Sequence, residues 1–326
     1  MQGGKRYYSI SDYLRSEFGR KTVKLSLDAG FTCPNRDGSK GFGGCAFCSE
    51  GGSGELSAHL ADYVTGQEIS ASLMSESITE QINRLSDKWP DAAYIAYFQS
   101  FTNTYAPVDY LRKIYYEALS DPRISGIAIA TRPDCLPGEV LDLLDEINRN
   151  HFLWVELGLQ SIHPETQNAM NLCYTTEDYD KAAAELSKRG IKYVTHIILG
   201  LPGENEDMIF DSLKHVCNID PHPFGLKLHL MNIVKSSALY KTMPDYVSFN
   251  SIDEYVDLVI RCLEIIPDDI TIHRLTGDVP RKILVSPEWS YRKRTILNSI
   301  NKELSLRDTR QGSKSMKKAA DAAVNK

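Results

Sequence analysis

The sequence is short of long apolar runs. None approaches the ~18–20 residues that a membrane-crossing helix needs, so no membrane association is expected. The opening residues, Met1-Gln2-Gly3-Gly4-Lys5-Arg6-Tyr7-Tyr8, lack the apolar segment of a secretory leader, which points to a cytoplasmic location. No internal repeat and no long low-complexity tract is found. Cysteine is sparse and odd in number, seven in 326 residues. Without an export signal, a disulfide framework is not expected, and the thiols should be reduced and able to bind metal. What remains is the make-up of a soluble globular protein, 42% hydrophobic and 25% charged, long enough for one large domain or two ordinary ones.

Charge is unevenly spread. The net charge is −6, yet residues 281–326 hold 12 Lys+Arg against 4 Asp+Glu, a local +8 that leaves −14 for residues 1–280. A solvated tail and a phosphate-contacting arm both account for such a segment.

Short apolar runs alternate with longer helical patterns. The runs are 23–27, 93–98, 124–130, 153–158, 193–199, 225–231 and 270–273, several apolar almost throughout, as parallel strands covered on both faces are. Between them Ile78, Ile82, Leu85 and Trp89, then Leu141, Leu144 and Ile147, then Val256, Val259, Ile260 and Leu263 recur at helical spacing. The alternation predicts a parallel α/β architecture. Six or seven strands are too few for a complete eight-unit barrel, so an open-sided, incomplete barrel fits better, with a doubly wound sheet as its competitor. Residues 1–21 read as an N-terminal extension with one helix, capped by Ser11 and ended by Gly19. Residues 22–280 form the barrel and 281–326 a basic C-terminal extension whose end, from Gln311, has the composition of a disordered tail. Residues 51–67 read as a polar loop.

The most informative stretch follows the first strand. Cys33, Cys45 and Cys48 stand with eleven residues between the first two and two between the last two, and Gly41, Gly43 and Gly44 let the backbone wrap closely. Thiolates suit zinc or an iron–sulfur cluster. Structural zinc wants four protein ligands, and the nearest fourth candidate is His59. A four-iron cluster held by three cysteines leaves one iron open.

Cys45-Ala46-Phe47-Cys48 with a third cysteine upstream resembles the radical S-adenosylmethionine (SAM) superfamily. The eleven-residue spacing, where the usual signature has three, resembles the YhcC/YtqA-like subgroup, which is related to the elongator catalytic subunit. Further motifs follow in order at successive strand ends: Phe98 to Thr104, Thr131-Arg132-Pro133-Asp134, Glu156 to Ser161, and Gly200-Leu201-Pro202-Gly203-Glu204. The resemblance covers roughly residues 5–310. It implies a partial (β/α)6 TIM-like radical SAM barrel, whose active site gathers at the C-terminal strand ends.

By that resemblance Cys33, Cys45 and Cys48 ligate a 4Fe-4S cluster, whose open iron binds SAM and, on reduction, cleaves it to a 5′-deoxyadenosyl radical. A reducing donor such as flavodoxin or ferredoxin is implied as a partner. Phe47 would pack beside adenine, and Gln99, Ser100 and Thr102 would receive the SAM amino group. Thr131 and Arg132 would face the pocket, Arg132 alternatively pairing with Asp134. Glu156 and Gln160 would contact ribose or methionine, and His196 and Gly200 would approach SAM, each with an ordinary packing role as its alternative. Where relatives carry arginine–glycine–histidine, this chain has Leu172-Cys173-Tyr174, so Arg132 becomes the candidate cation for the SAM carboxylate. Cys173 is then either a radical quencher or auxiliary ligand, or an incidental loop cysteine. Cys135, Cys217 and Cys262 form no second metal motif, and no residue is assigned to the catalytic step.

Trp289, Tyr291, Arg292, Lys293 and Arg294 mix aromatics with cations, the pairing that stacks bases and holds phosphates. The subgroup's link with tRNA wobble-uridine modification points the same way, so tRNA is the expected partner. The alternatives are a radical SAM enzyme acting on a tetrapyrrole or cofactor precursor, and a zinc-stabilised RNA-binding protein.

Overall fold

The computed structural model describes residues 5–52, 58–59 and 71–315. Its strands are β1 (Thr22–Asp28), β2 (Ala58–His59), β3 (Ala93–Phe98), β4 (Ile124–Thr131), β5 (Phe152–Gln160), β6 (Lys192–Leu199), β7 (Gly225–Leu230), β8 (Ile233–Val234), β9 (Thr271–Arg274) and β10 (Leu284–Ser286). Its helices are α1 (Ile10–Phe18), α2 (Ala71–Ser86), α3 (Val108–Ser120), α4 (Gly138–Asn150), α5 (Pro164–Ala169), α6 (Thr176–Lys188), α7 (Glu206–Asn218), α8 (Ala238–Thr242), α9 (Ile252–Ile265) and α10 (Lys293–Leu306). All seven strands read from the apolar runs are present. Among the described residues no helix is long and apolar enough to cross a membrane.

The strand order is β2-β1-β3-β4-β5-β6-β7-β9, following the chain except that β2 lies outside β1, and among the described residues it does not close on itself, so the sheet is an open, partial parallel α/β barrel. The parallel crossovers require a helix between strands, which is why apolar runs and helical patterns alternate in the sequence. Every residue of β3 is buried, the mark of a parallel strand covered on both faces. β8 and β10 form a separate antiparallel pair.

The chain divides into two compact units. The N-proximal unit comprises Leu14–Gly158 and Asn171–Tyr193. Within it, Leu111, Ile114 and Tyr115 of α3 and Leu143, Leu144 and Ile147 of α4 are buried in the core. Thr175 starts α6 with a capping box, its hydroxyl accepting from the Asp178 amide and the Asp178 carboxylate accepting from the Thr175 amide. The C-proximal unit comprises Met1–Tyr13, Leu159–Met170 and Val194–Lys326. Its helices α7 and α9 are capped by Asn205 and Ser251. Ser9, not Ser11, meets the first turn of α1, its hydroxyl accepting from the Asp12 amide at 3.3 Å, because the helix begins two residues earlier than the sequence pattern suggests.

The basic C-terminal stretch is folded as far as it is described. It contributes β10, a 3-10 turn over Glu288–Tyr291 and α10, whose Ile296, Ile300 and Leu304 are buried. Gln311 is fully buried. Residues 316–326, the rest of the expected tail, lie outside the described residues, as does most of the 51–67 loop.

Candidate active site

The loop from Phe31 to Gly52 carries the three cysteines after β1. Its ends are held by the β3–α3 loop, where the Thr102 amide donates to the Thr32 carbonyl and the Phe101 amide to the Gly52 carbonyl. Gly52 has φ +61°, and a Cβ there would lie 2.5 Å from the Phe101 ring, so only glycine allows this approach. The middle is held by Asn35, which is buried and donates to the Asn171 carbonyl, and by Asn171, which donates to the Gly44 carbonyl at 2.8 Å. Arg36 donates to the carbonyls of Ser49 and Glu50. These fastenings hold a long, helix-free loop in a single path.

None of the seven cysteines is in a disulfide. Burial, followed by the neighbouring Cys48, pushes the Cys45 thiol up to about 12, with Cys33 adding to the shift. Cys33 and Cys48 therefore both lie within electrostatic reach of Cys45. Among the described residues no group of three His, Cys, Asp or Glu is placed to hold a single metal ion. The side chain of His59, the candidate fourth zinc ligand, lies outside the described residues. A cluster that anchors each cysteine on a different iron needs convergence without close contact, and three cysteines outside any disulfide in this fastened loop fit that donor set. The Asn35 amide, 3.7 Å from the Cys45 sulfur, would support it.

Beside this loop, Ser100 and Thr102 are buried, and the Ser100 hydroxyl has no hydrogen-bond partner. Gln99 and Phe47 are half-buried. The Thr131 hydroxyl meets that of Thr104 at 2.5 Å. Arg132 forms a two-pronged pair with Asp134, 2.9 Å on each prong, and donates to the carbonyls of Leu172 and Cys173 at 2.9 and 3.2 Å. Its guanidinium also lies over the Tyr174 ring. Arg132 thus fastens the Leu172-Cys173-Tyr174 segment. Cys173 is exposed, with its sulfur 3.2 Å from the Asn35 amide oxygen.

Glu156 is fully buried and accepts from Tyr97 at 2.6 Å and Trp154 at 3.0 Å, with Lys24 3.8 Å away. Sequence reasoning missed these three partners. The signal was a lysine and two hydrogen-bonding aromatics inside otherwise apolar strands.

The remaining candidates lie in the C-proximal unit or at its edge. Gln160 has φ +70° at the end of β5. His196 is half-buried on β6, its ring centroid 4.9 Å from that of His229. Gly200 has φ +83° and would place a Cβ 2.6 Å from the Phe249 ring, which explains the glycine by packing. Trp289 is half-buried with its ring 5.9 Å from that of Tyr255. Tyr291 is exposed, with the guanidinium groups of Arg281 and Arg292 at 4.6 and 5.6 Å from its ring centre. Lys293 pairs with Asp278 at 2.6 Å, while Arg294 is exposed.

The Radical SAM superfamily pattern matches residues 33–216, and the Radical_SAM C-terminal domain matches residues 223–305. An uncharacterised Bacillus subtilis protein, YtqA, is 43% identical over 309 residues, covering 94% of this chain and 92% of its own. A tRNA uridine(34) acetyltransferase of Methanocaldococcus jannaschii is 24% identical over 169 residues, 51% of this chain and 30% of that protein. The solved structure of archaeal Methanocaldococcus infernus Elp3 superposes with a TM-score of 0.64 at 16% identity, covering 89% of this chain and 64% of that one.

Proposed function

We propose that this chain, which belongs to the radical SAM superfamily and within it to the YhcC/YtqA-like subgroup, modifies transfer RNA at the side chain of its wobble uridine. Membership makes it a radical SAM enzyme with a 4Fe-4S cluster and SAM as cofactors, and such enzymes need a reductant. When bound, these cofactors supply reductive cleavage of SAM to methionine and a 5′-deoxyadenosyl radical that takes hydrogen from substrate.

In this reading Cys33, Cys45 and Cys48 hold the cluster. Phe47, Gln99, Ser100 and Thr102 are the side chains nearest to hand for SAM, the unpartnered Ser100 hydroxyl supplying a polar contact. Arg132 is a positioning residue, because its donors already end on Asp134 and two carbonyls. Glu156 sets a buried polar network with Tyr97, Trp154 and Lys24.

The RNA substrate rests on one observation, the exposed Tyr291 ring flanked by two guanidinium groups. An aromatic face stacks a base while its flanking cations meet phosphates. The relative named as a tRNA uridine(34) acetyltransferase supports the same substrate class. Replacing Arg281, Arg292 and Arg294 by Gln should weaken tRNA binding and flatten its salt dependence, by about 0.7–0.9 in log–log slope for each phosphate no longer neutralised. Unchanged affinity and slope would remove this surface from the reading. Mass spectrometry of tRNA nucleosides from a strain lacking the gene should show a wobble uridine without its modification, and an unaltered nucleoside profile would overturn the substrate.

A further inference from the structure

We propose that Asn35 is a positioning residue that tunes the cluster: its side-chain N–H, aimed at the Cys45 sulfur, raises the reduction potential of a cluster held there. The proposal rests on the reading above that Cys45 is a cluster ligand.

Asn35 is fully buried, so each of its polar groups needs a partner inside the protein. Its side-chain amide has two N–H donors and one oxygen. One N–H goes to the Asn171 carbonyl. The other goes to the Cys45 sulfur, 3.7 Å from the nitrogen. The oxygen accepts from the Cys173 thiol at 3.2 Å. A backbone carbonyl only accepts, so the Asn171 contact decides which way round the amide sits. Turned over, the amide would set its oxygen against the Asn171 oxygen and its nitrogen away from Cys45.

The surroundings hold that orientation. Asn171 and Cys173, at φ +51° and +57°, stand in the left-handed conformation on either side of Leu172 and meet the same amide. Arg132 fastens this segment through the carbonyls of Leu172 and Cys173. Opposite, a Cβ on Gly41 would collide with the Asn35 oxygen and lie 2.8 Å from the Cys173 sulfur, so glycine there leaves the two room to meet. The Asn35 carbonyl accepts from the amide of Gly44, the residue before Cys45, at 2.8 Å, which ties the donor to the ligand it faces.

A thiolate bound to a cluster gains negative charge when the cluster is reduced. An N–H already aimed at that sulfur is attracted more strongly afterwards than before, and burial strengthens the difference. Hydrogen bonds to ligand sulfurs are among the levers that set cluster potentials. The bond therefore favours the reduced form. Reduction adds one electron from the enzyme's reductant, with no proton moved and no bond broken at Asn35.

The test is a spectroscopic redox titration of the anaerobically reconstituted full-length protein without SAM, with iron content and thermal transition measured alongside. Asn35→Leu matches the branching of the side chain and removes the donor. It should keep the cluster and lower the reduced-to-oxidised ratio about tenfold at a fixed potential, a fall of about 59 mV in midpoint for one electron. Asn35→Asp keeps the outline, sets an oxygen against the Cys45 sulfur and should lower the midpoint at least as far. Asn171→Gly removes the side-chain clasp on the Phe42 and Gly44 carbonyls but keeps the carbonyl that orients Asn35. It should lower the thermal transition and retain the wild-type midpoint. An unchanged or raised midpoint in the Asn35 variants that hold a cluster overturns the proposal. So does an equal fall in Asn171→Gly, which would make a loosened loop the cause. Loss of the fold or of iron in both Asn35 variants makes the residue a structural fastening and overturns the tuning role too. The ligand reading fails separately, through a Cys45→Ala protein that keeps wild-type iron and absorbance.

Discussion

Arg132 and Asp134 show how partners settle the role of a single side chain. Burial by itself would raise the Asp134 carboxyl, but the hydrogen bond and charge of Arg132, then Lys40, hold it below the ordinary carboxylate value. Asp134→Ala leaves the Arg132 guanidinium buried without its counter-charge and should cost about 3–5 kcal/mol in urea unfolding. Because the folded-state value is depressed, this contribution is present above the ordinary carboxylate range and is lost as pH falls through the lowered value. Wild type should therefore lose stability in acid faster than Asp134→Ala does, and parallel pH profiles would contradict the pairing. For the thiols, Cys33→Ala, Cys45→Ala and Cys48→Ala should each abolish iron–sulfur absorbance and 5′-deoxyadenosine production. Cys217→Ala should retain both, since that half-buried thiol lies in the other unit. Full deoxyadenosine formation by Cys45→Ala would sink the ligand assignment.

Among elements, β9 carries a one-residue bulge against β7, where Leu226 pairs with Ile272 but Lys227 with Arg274, and this irregularity has a local cause. Gly225 on the neighbouring strand leaves room for the His273 ring that the bulge displaces. Gly225→Ala overpacks this contact and should cost about 1–3 kcal/mol, read as a lowered thermal midpoint. Gly138→Ala, at the start of α4 with nothing within 4 Å of its added Cβ, should be neutral or stabilising by up to about 1 kcal/mol. Equal effects of the two would argue against the packing account. Strand existence was legible because an apolar run depends only on adjacent residues. The bulge was not, because register is settled between strands that lie more than forty residues apart.

For the whole molecule, the unexpected feature is how the two ends of the described chain meet within the C-proximal unit. Arg6 pairs with Asp308 at 2.9 Å, and Ser9 bridges to Ile272 of β9. Gln311 joins three segments: its side-chain oxygen accepts from the Tyr8 amide at 2.8 Å, and its nitrogen donates to the carbonyls of Pro267 and Ile270 at 2.6 and 2.7 Å. Gln311→Ala strands two buried carbonyls and the half-buried Tyr8 amide and should cost about 2–3 kcal/mol. It should also raise amide exchange at Tyr8, and wild-type exchange and stability would remove this role. The described part of the basic C-terminal segment is thus anchored through α10 and Gln311 within the C-proximal unit.

The sequence by itself determined the parallel α/β class, the seven main strands and the family, because each was written in short-range signals: apolar runs, helical periodicity, and cysteine and strand-end motifs in fixed order. Tertiary structure decided what each polar side chain meets. It turned Arg132 toward Asp134 and two carbonyls, enclosed Glu156 between Tyr97 and Trp154, and packed Phe249 over Gly200. It also brought His196, Lys227 and Arg274 into one row. Strand register and a one-residue bulge made that row, and neither leaves a mark in the order of residues along a single strand.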